Sequence, residues 1–193
     1  MKCALIIFVR NPVLGKVKTR LAATMGNEKA LAVYLSLLNH TKKITENLPV
    51  TKYVFYADEI NENDLWNGFE KKLQTGTGLG QRMQNAFEEL FRLGHKQVCI
   101  IGSDCYQLTS CIVKGAFEKL QSNDVVIGPA TDGGYYLLGM CSPLKDLFRG
   151  IAWSSENVMA DTLKLAFGLN LPVQHLPVLH DVDEEKDIDF DYS

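Results

Sequence analysis

Cys3-Ala4-Leu5-Ile6-Ile7-Phe8-Val9 is an apolar run without the polar alternation of a half-solvated strand. Its β-branched and aromatic content predicts a strand, and the missing alternation predicts one covered on both faces. Directly after it the character inverts. Arg10-Asn11-Pro12-Val13-Leu14-Gly15-Lys16-Val17-Lys18-Thr19-Arg20-Leu21 brings four cations within eleven residues. A buried strand running into a charged loop is the pattern of a parallel α/β sheet, where ligands bind at the carboxyl ends of strands, at the point where strand order reverses.

The same alternation recurs downstream. Apolar runs predict strands over 52–57, 97–101, 124–127 and 135–139, with a weaker one over 172–175 and a short one before Gln74. Amphipathic segments predict helices over 27–48, 81–93, 109–120 and 155–167. In the first, Leu31, Tyr34, Leu35 and Leu38 share a face, Asn27 suits the N-cap and Pro49 the stop; Gly94 suits the end of the second and Ser155 the cap of the fourth. Strand and helix in turn predict an α/β fold, a three-layer α/β/α sandwich around a mostly parallel mixed sheet. No repeat, low-complexity tract or linker divides the chain, so residues 1–193 are expected to form a single domain.

Composition narrows the partners. Of 193 residues, 46% are hydrophobic and 22% charged, the balance of a soluble globular chain able to bury a core without a disulfide or metal staple. Lys and Arg total 20 against 23 Asp and Glu, a net charge of -3 that excludes a broadly basic nucleic-acid binder. The odd count of five cysteines, with no C-x-x-C pair, reads as reduced thiols in a cytoplasmic protein. The N-terminal apolar run is short and lacks a small-residue cleavage site, so it reads as a strand and not a signal peptide. No stretch approaches the roughly 20 apolar residues of a membrane span, and no membrane partner is expected.

Five loops carry the chemistry, and each also admits a structural reading. Arg10, Lys16, Lys18 and Arg20, with Gly15 allowing close backbone approach, suit a polyphosphate or a solvated turn; the spacing is not that of a P-loop. Gln74-Thr-Gly76-Thr-Gly78-Leu-Gly80-Gln-Arg82-Met83 opens a helix with exposed amides, fit for an anion or a base edge, or serves as a connector. Asp104, just beyond the strand over 97–101, suits Mg²⁺ or a turn. Asp132-Gly133-Gly134 is first a turn between strands, and of Tyr135 and Tyr136 after it only one can face the core. The acidic run 181–189 is a solvated tail, with Asp183 capping a short helix, or supplies a second metal carboxylate from Asp181 or Asp183. Cys105 has no histidine nearby in sequence and reads as structural.

In order, F-x-R-x-P-x-x-G-x-V-K-T-R-L (8–21), Q-x-G-x-G-L-G-x-R-M (74–83), I-G-S-D-C (101–105), G-P-A-x-D-G-G-Y-Y-L-x-G (128–139), W-S-S (153–155) and D-V-D-x-x-x-D-I (181–188) resemble the radical-SAM/selenodomain-associated transferase family. That resemblance implies a glycosyltransferase-A-like, nucleotide-diphospho-sugar transferase fold. It implies a cation-dependent transferase, with Mg²⁺ or Mn²⁺, that takes a nucleotide sugar or nucleoside triphosphate and a small-molecule acceptor.

By the same resemblance, Arg10, Gly15, Lys18 and Arg20 would hold donor phosphates, with Lys18, Arg20 and Asp104 catalytic. Gln74, Gly76, Gly78, Gly80 and Arg82 would border the nucleotide. Asp104 would ligate the metal with Asp181 or Asp183, and Asp132, Gly133, Gly134 and Tyr135 would line the acceptor side. Two positions depart from the pattern: Tyr106 stands where proline is usual, which would put an aromatic ring near the acceptor, and Ser155 where threonine is usual. Nucleotidyl transfer, and a nucleotide-binding module without turnover, remain as alternatives.

Overall fold

Strand β1 (Cys3–Val9) is parallel to both its neighbours, β2 (Thr51–Tyr56) and β4 (Gln97–Ile101), with Ile7 beside Val54 and Ile101. The residues from Ala4 to Ile7 are wholly inaccessible, which is why their sequence shows no alternation. The computed structural model describes residues 2–192. The remaining strands are β3 (Glu70–Leu73), β5 (Val125–Pro129), β6 (Tyr135–Met140) and β7 (Val173–His175). They complete a seven-stranded sheet in the order β3-β2-β1-β4-β6-β5-β7, in which only β6 runs antiparallel to its neighbours.

Helices α1 (Thr19–Met25), α2 (Asn27–Thr45), α3 (Leu79–Arg92), α4 (Ser110–Lys119) and α5 (Val158–Gly168) supply the outer layers. On one face Tyr34 and Leu38 of α2 and Val113, Ala116 and Phe117 of α4 pack on Leu5, Ile7 and Val9. On the other, Met83, Ala86, Phe87 and Leu90 of α3 and Ala166 of α5 meet Ala4, Ile6 and Ile100. The α3 set follows i, i+3, i+4, i+7 spacing, and burying each large member contributes about 1.5–3 kcal/mol. The predicted three-layer mixed sandwich is therefore the fold.

A third cluster lies outside the sheet. Leu21 of α1 and Ala30, Val33 and Leu37 of α2 bury Val182, and Ile188, Phe190 and Tyr192 pack against them. This apolar strap draws the acidic C-terminal segment back across the mouth of the sheet.

Several local expectations are corrected. The cationic loop contains α1, because Leu21 has a core to join. Gly26, with Asn27 one residue inside, stands at the N-cap of α2, which ends at Thr45, short of residue 48. Helix α5 starts at Val158, three residues after Ser155, since Ser154 takes left-handed backbone (φ 67°) and turns the chain. The short acidic helix spans Glu185–Asp187, capped by Glu184 and not by Asp183. Tyr136 packs on one face of the sheet, its hydroxyl donating to the Pro177 carbonyl, and Tyr135 lies against the other beside Thr162 of α5, so both rings are largely covered. Among the described residues no helix is long and apolar enough to cross a membrane.

Candidate functional site

The chain runs from β1 outward through β2 and β3, then returns to β4 on the other side of β1. At that reversal the loops after β1 and β4 part, and a cleft of about 880 Å³ opens between them. Its walls come from the ends of β1 and β4, the first turn of α3, the β5–β6 turn, the segment before α5 and the C-terminal strap.

An acidic pole occupies one end. Lys18 is its centre: Nζ lies 2.6 Å from Asp104 Oδ1, donates to the Val182 carbonyl at 2.7 Å and approaches Asp183 Oδ1 at 3.6 Å. The Lys18 side chain is only 7% exposed, and its backbone is left-handed (φ 46°, ψ 50°), a conformation costing a residue with a Cβ about 1–2 kcal/mol. Arg20 pairs with the second oxygen of Asp183 at 3.3 Å and remains exposed. Asp181 completes the group. Burial, then the charges of Asp104, Asp132 and Asp183, outweigh Lys18 and push its carboxyl up to about 7.

Asp183 is held by a turn. Asp187 accepts hydrogen bonds from the Asp183 and Glu184 amides at 3.0 and 2.7 Å and pairs with His180 Nε2 at 2.8 Å. His180 Nδ1 in turn bonds the Thr131 hydroxyl, which ties the strap to the β5–β6 turn.

Two cations face the cleft from the other side. The Arg10 guanidinium is exposed above a backbone that Tyr34 fixes, its hydroxyl accepting from Arg10 N–H at 2.9 Å and donating to the Arg10 carbonyl at 3.0 Å. Burial pushes the Tyr34 phenol up to about 12, so it bonds as a neutral hydroxyl. Arg82 reaches the Gly76 carbonyl at 3.2 Å and Gln74 Oε1 at 3.5 Å. The Gln74 amide donates to the Phe55 and Val9 carbonyls at 2.9 and 3.3 Å, stitching the ends of β1 and β2. Gly78 lines the cleft at the N-cap of α3. Gly15 and Gly76 shape the loops behind the wall.

Gly80 has a packing role. A Cβ there would sit 2.1 Å from the Trp153 indole, which fills that space and stacks at 6.1 Å on Phe148. On the far wall Asp132 accepts from Gly134 N–H at 2.9 Å, the turn role its sequence suggests, while its side chain also borders the cleft beside Gly134 and Tyr135. Gly133 lies behind them, its backbone against Glu156. The Tyr135 hydroxyl is buried beside Thr162, which donates to Val158 O at 2.8 Å, and it makes no hydrogen bond of good geometry among the described residues.

Sequence reasoning missed Tyr34, Ser103 and the wall formed by Trp153, Ser154, Ser155 and Glu156. Tyr34 read as a core residue, correctly for its ring, and W-S-S carried a signal only as a motif without an assigned role. Tyr106 is corrected outright: its ring turns away from the cleft, stacking on Phe190 at 3.8 Å and meeting His40 at a tilt at 4.4 Å, and so clamps the strap. Cys105 borders the cleft with its thiol pushed up to about 12 by burial and by Asp181, which leaves it inert.

The donor set suits a divalent cation. Two carboxylate oxygens and one carbonyl already converge on a single positive atom, the Lys18 ammonium. Mg²⁺ and Mn²⁺ commonly use one or two carboxylates and complete their shell with substrate phosphates and water. Among the described residues no group of three His, Cys, Asp or Glu side chains is arranged to hold a metal alone.

The family model for an uncharacterized protein conserved in bacteria (DUF2064) matches residues 40–155. No curated protein matches the chain. Among solved structures, a candidate nucleotide-diphospho-sugar transferase from Desulfovibrio desulfuricans G20 is 34% identical over 95% of this chain and 84% of its own, with a TM-score of 0.87. Rv0371c from Mycobacterium tuberculosis H37Rv, solved as a complex with manganese, shares the fold at 11% identity over 97% and 96% of the two chains, with a TM-score of 0.59. So does the inositol-1-phosphate CTP transferase from T. maritima, at 12% identity over 98% and 92%, with a TM-score of 0.55.

Proposed function

Because the chain belongs to the DUF2064 family of uncharacterized proteins conserved in bacteria, we propose that it is a divalent-cation-dependent transferase acting on a nucleotide-activated donor, of the glycosyltransferase-A-like kind. One observation carries this reading: a single cleft presents Arg10 and Arg82 on one wall and a cluster of aspartates on the other, at the reversal point of the sheet. The solved structures with this fold agree with it, since they include a candidate nucleotide-diphospho-sugar transferase and a CTP transferase. The narrower resemblance to radical-SAM/selenodomain-associated transferases belongs to the same proposal.

The residues divide the work. Arg10, Arg20 and Arg82 offer planar forks to donor phosphates, and Gly78 leaves the first amides of α3 open to the nucleotide. Asp104 and Asp183, with Asp181 beside them, would hold Mg²⁺ or Mn²⁺, which when bound offsets charge on the pyrophosphate leaving group. Trp153, Asp132 and Tyr135 shape the opposite wall, where a small acceptor would lie. Such transfer needs little covalent help from the protein; positioning and fixed charge supply most of the barrier reduction.

A second reading, nucleotidyl transfer from a nucleoside triphosphate, has a specific observation behind it. The residue two before Asp104 is Gly102, so the end of β4 offers one carboxylate and not the paired Asp-x-Asp common in glycosyltransferases of this fold. A thermal-shift panel of nucleoside triphosphates and nucleotide sugars, each with and without Mg²⁺ or Mn²⁺, separates the two, because a ligand of the native state raises the melting midpoint. A sugar nucleotide giving the largest metal-dependent shift supports glycosyl transfer, and a triphosphate giving it supports nucleotidyl transfer. No shift from any nucleotide at millimolar concentration overturns both.

A further inference from the structure

Lys18 is an unusual residue to find where it is. Its ammonium occupies the point on which the acidic pole converges, held by Asp104 at 2.6 Å, the Val182 carbonyl at 2.7 Å and Asp183 at 3.6 Å. The side chain is nearly sealed from water, and the backbone beneath it adopts left-handed angles that a lysine takes only under constraint. Arg20, two residues on and bound to the same Asp183, is 77% exposed and free to swing toward a ligand. Two cations of one loop thus have opposite settings: one is a surface fork, the other an internal counter-ion.

Resting on the functional reading above, we propose that Lys18 is a built-in stand-in for the divalent cation. It neutralises Asp104 and Asp183 in the empty protein and must release them before a metal ion can bind. The reason is electrostatic: an ammonium and a divalent ion cannot share oxygens a few ångströms apart without strong repulsion. Only another anion can accept Lys18 at small cost, and a phosphate-bearing ligand in the same cleft is such an anion. Metal and nucleotide binding are thereby coupled through one side chain, each favouring the other. The bare protein binds free cations weakly, which keeps the carboxylates from collecting adventitious metal between turnovers. Burial distinguishes Lys18 from a general charge effect, since an exposed cation is screened by water and salt and a buried one is not.

The test reads Mn²⁺ binding to the nucleotide-free full chain by the loss of the free-ion electron paramagnetic resonance signal. Lys18→Met removes the ammonium; Arg20→Met removes an equal charge from the same Asp183 but leaves Lys18 in place. The expected result is Mn²⁺ bound about tenfold or more tightly by Lys18→Met and less than about threefold more tightly by Arg20→Met. In Lys18→Met/Asp104→Asn the gain is lost. Should Lys18→Met fold poorly, Lys18→Gly reads the same quantity, because glycine accepts the left-handed backbone. Equal gains in the lysine and arginine variants, or no gain in either lysine variant, overturn the proposal. Wild-type chain that binds nucleotide in the thermal panel while Lys18→Met shows no gain sinks this inference alone; wild-type chain that binds no nucleotide sinks the functional reading, whatever the Mn²⁺ result.

Discussion

Gly133→Ala tests how the β5–β6 turn and the segment before α5 are locked together at the cleft wall. Gly133 has φ +88°, and a Cβ built there would lie 2.0 Å from the Glu156 carbonyl oxygen, 2.6 Å from its carbon and 2.8 Å from its Cα. These are backbone atoms, which cannot rotate aside as a side-chain tip can, so the two loops must part until the contact reaches the 3.4 Å of ordinary van der Waals approach. Parting them stretches the Met159 N–H bond to the Gly133 carbonyl, now 2.9 Å, which anchors the first turn of α5. Left-handed backbone costs alanine about 1–2 kcal/mol, the clash about 1–3 and the weakened hydrogen bond about 1, a total of about 3–6 kcal/mol.

Gly68 supplies an internal control: it has the same φ of +88° with nothing within 4 Å of its would-be Cβ. Gly68→Ala should therefore lose only the backbone contribution, about 1–2 kcal/mol. Both variants gain the same small benefit from a stiffer unfolded chain, so that benefit cancels in the comparison. Urea unfolding followed by tryptophan emission, with a common slope for all three proteins, measures the difference. If the two variants lose the same stability within about 0.5 kcal/mol, the contact between the turn and Glu156 has no energetic weight and the argument fails.

Other outcomes follow from single groups. His95 is buried against the Tyr53 hydroxyl at 3.0 Å, and burial followed by the Lys2 charge lowers its affinity for a proton below the ordinary 6.5. The unfolded chain then protonates first, so His95 contributes stability above pH 6.5 that is lost as pH falls toward the folded value, at up to about 1.4 kcal/mol per unit. His95→Gln should lack this acid loss, so the stability difference between wild type and variant should change as pH falls below 6.5; a pH-independent difference refutes it. Tyr135→Phe removes a buried hydroxyl that makes no hydrogen bond of good geometry and should be neutral or up to about 1 kcal/mol stabilising, so a clear loss in urea unfolding would show a hidden bond. Arg10→Ala, altering an exposed side chain, should keep the melting temperature while abolishing most of the nucleotide-induced shift. Asp104→Asn should leave the chain folded and reduce turnover about 100-fold or more with the donor identified in the panel; unchanged turnover removes Asp104 from the mechanism.

The strand β1 and helix α3 were legible from sequence because burial writes itself into residue pattern: an uninterrupted apolar run for a strand covered twice, a 3.6-residue period for a helix covered once. The loops at the carboxyl ends of strands were legible for the same reason, since charge directly after a buried run has nowhere to lie but the rim of the sheet. Helix α1 was not legible, because only Leu21 of its seven residues is buried, and the cluster that buries it includes Val182, far away in sequence. The start of α5 was misread because the left-handed turn at Ser154 carries no glycine to announce it.

The candidate site divides along the same line. Sequence alone could name Arg10, Lys18, Arg20, Asp104, Asp181 and Asp183 as chemically apt, since charge and loop position are local properties. It could not say that Lys18 lies among the aspartates while Arg10 and Arg82 stand clear of them, nor that Gly80 serves a tryptophan and Tyr106 the C-terminal strap. Those assignments depend on contacts between residues as much as 165 positions apart, Lys18 and Asp183 among them. Composition and period determined which segments are buried and which are charged; the packing of the strap on α1 and α2 decided which charges meet, because apolar burial there fixes the carboxylates at a distance from Lys18 that no local rule encodes.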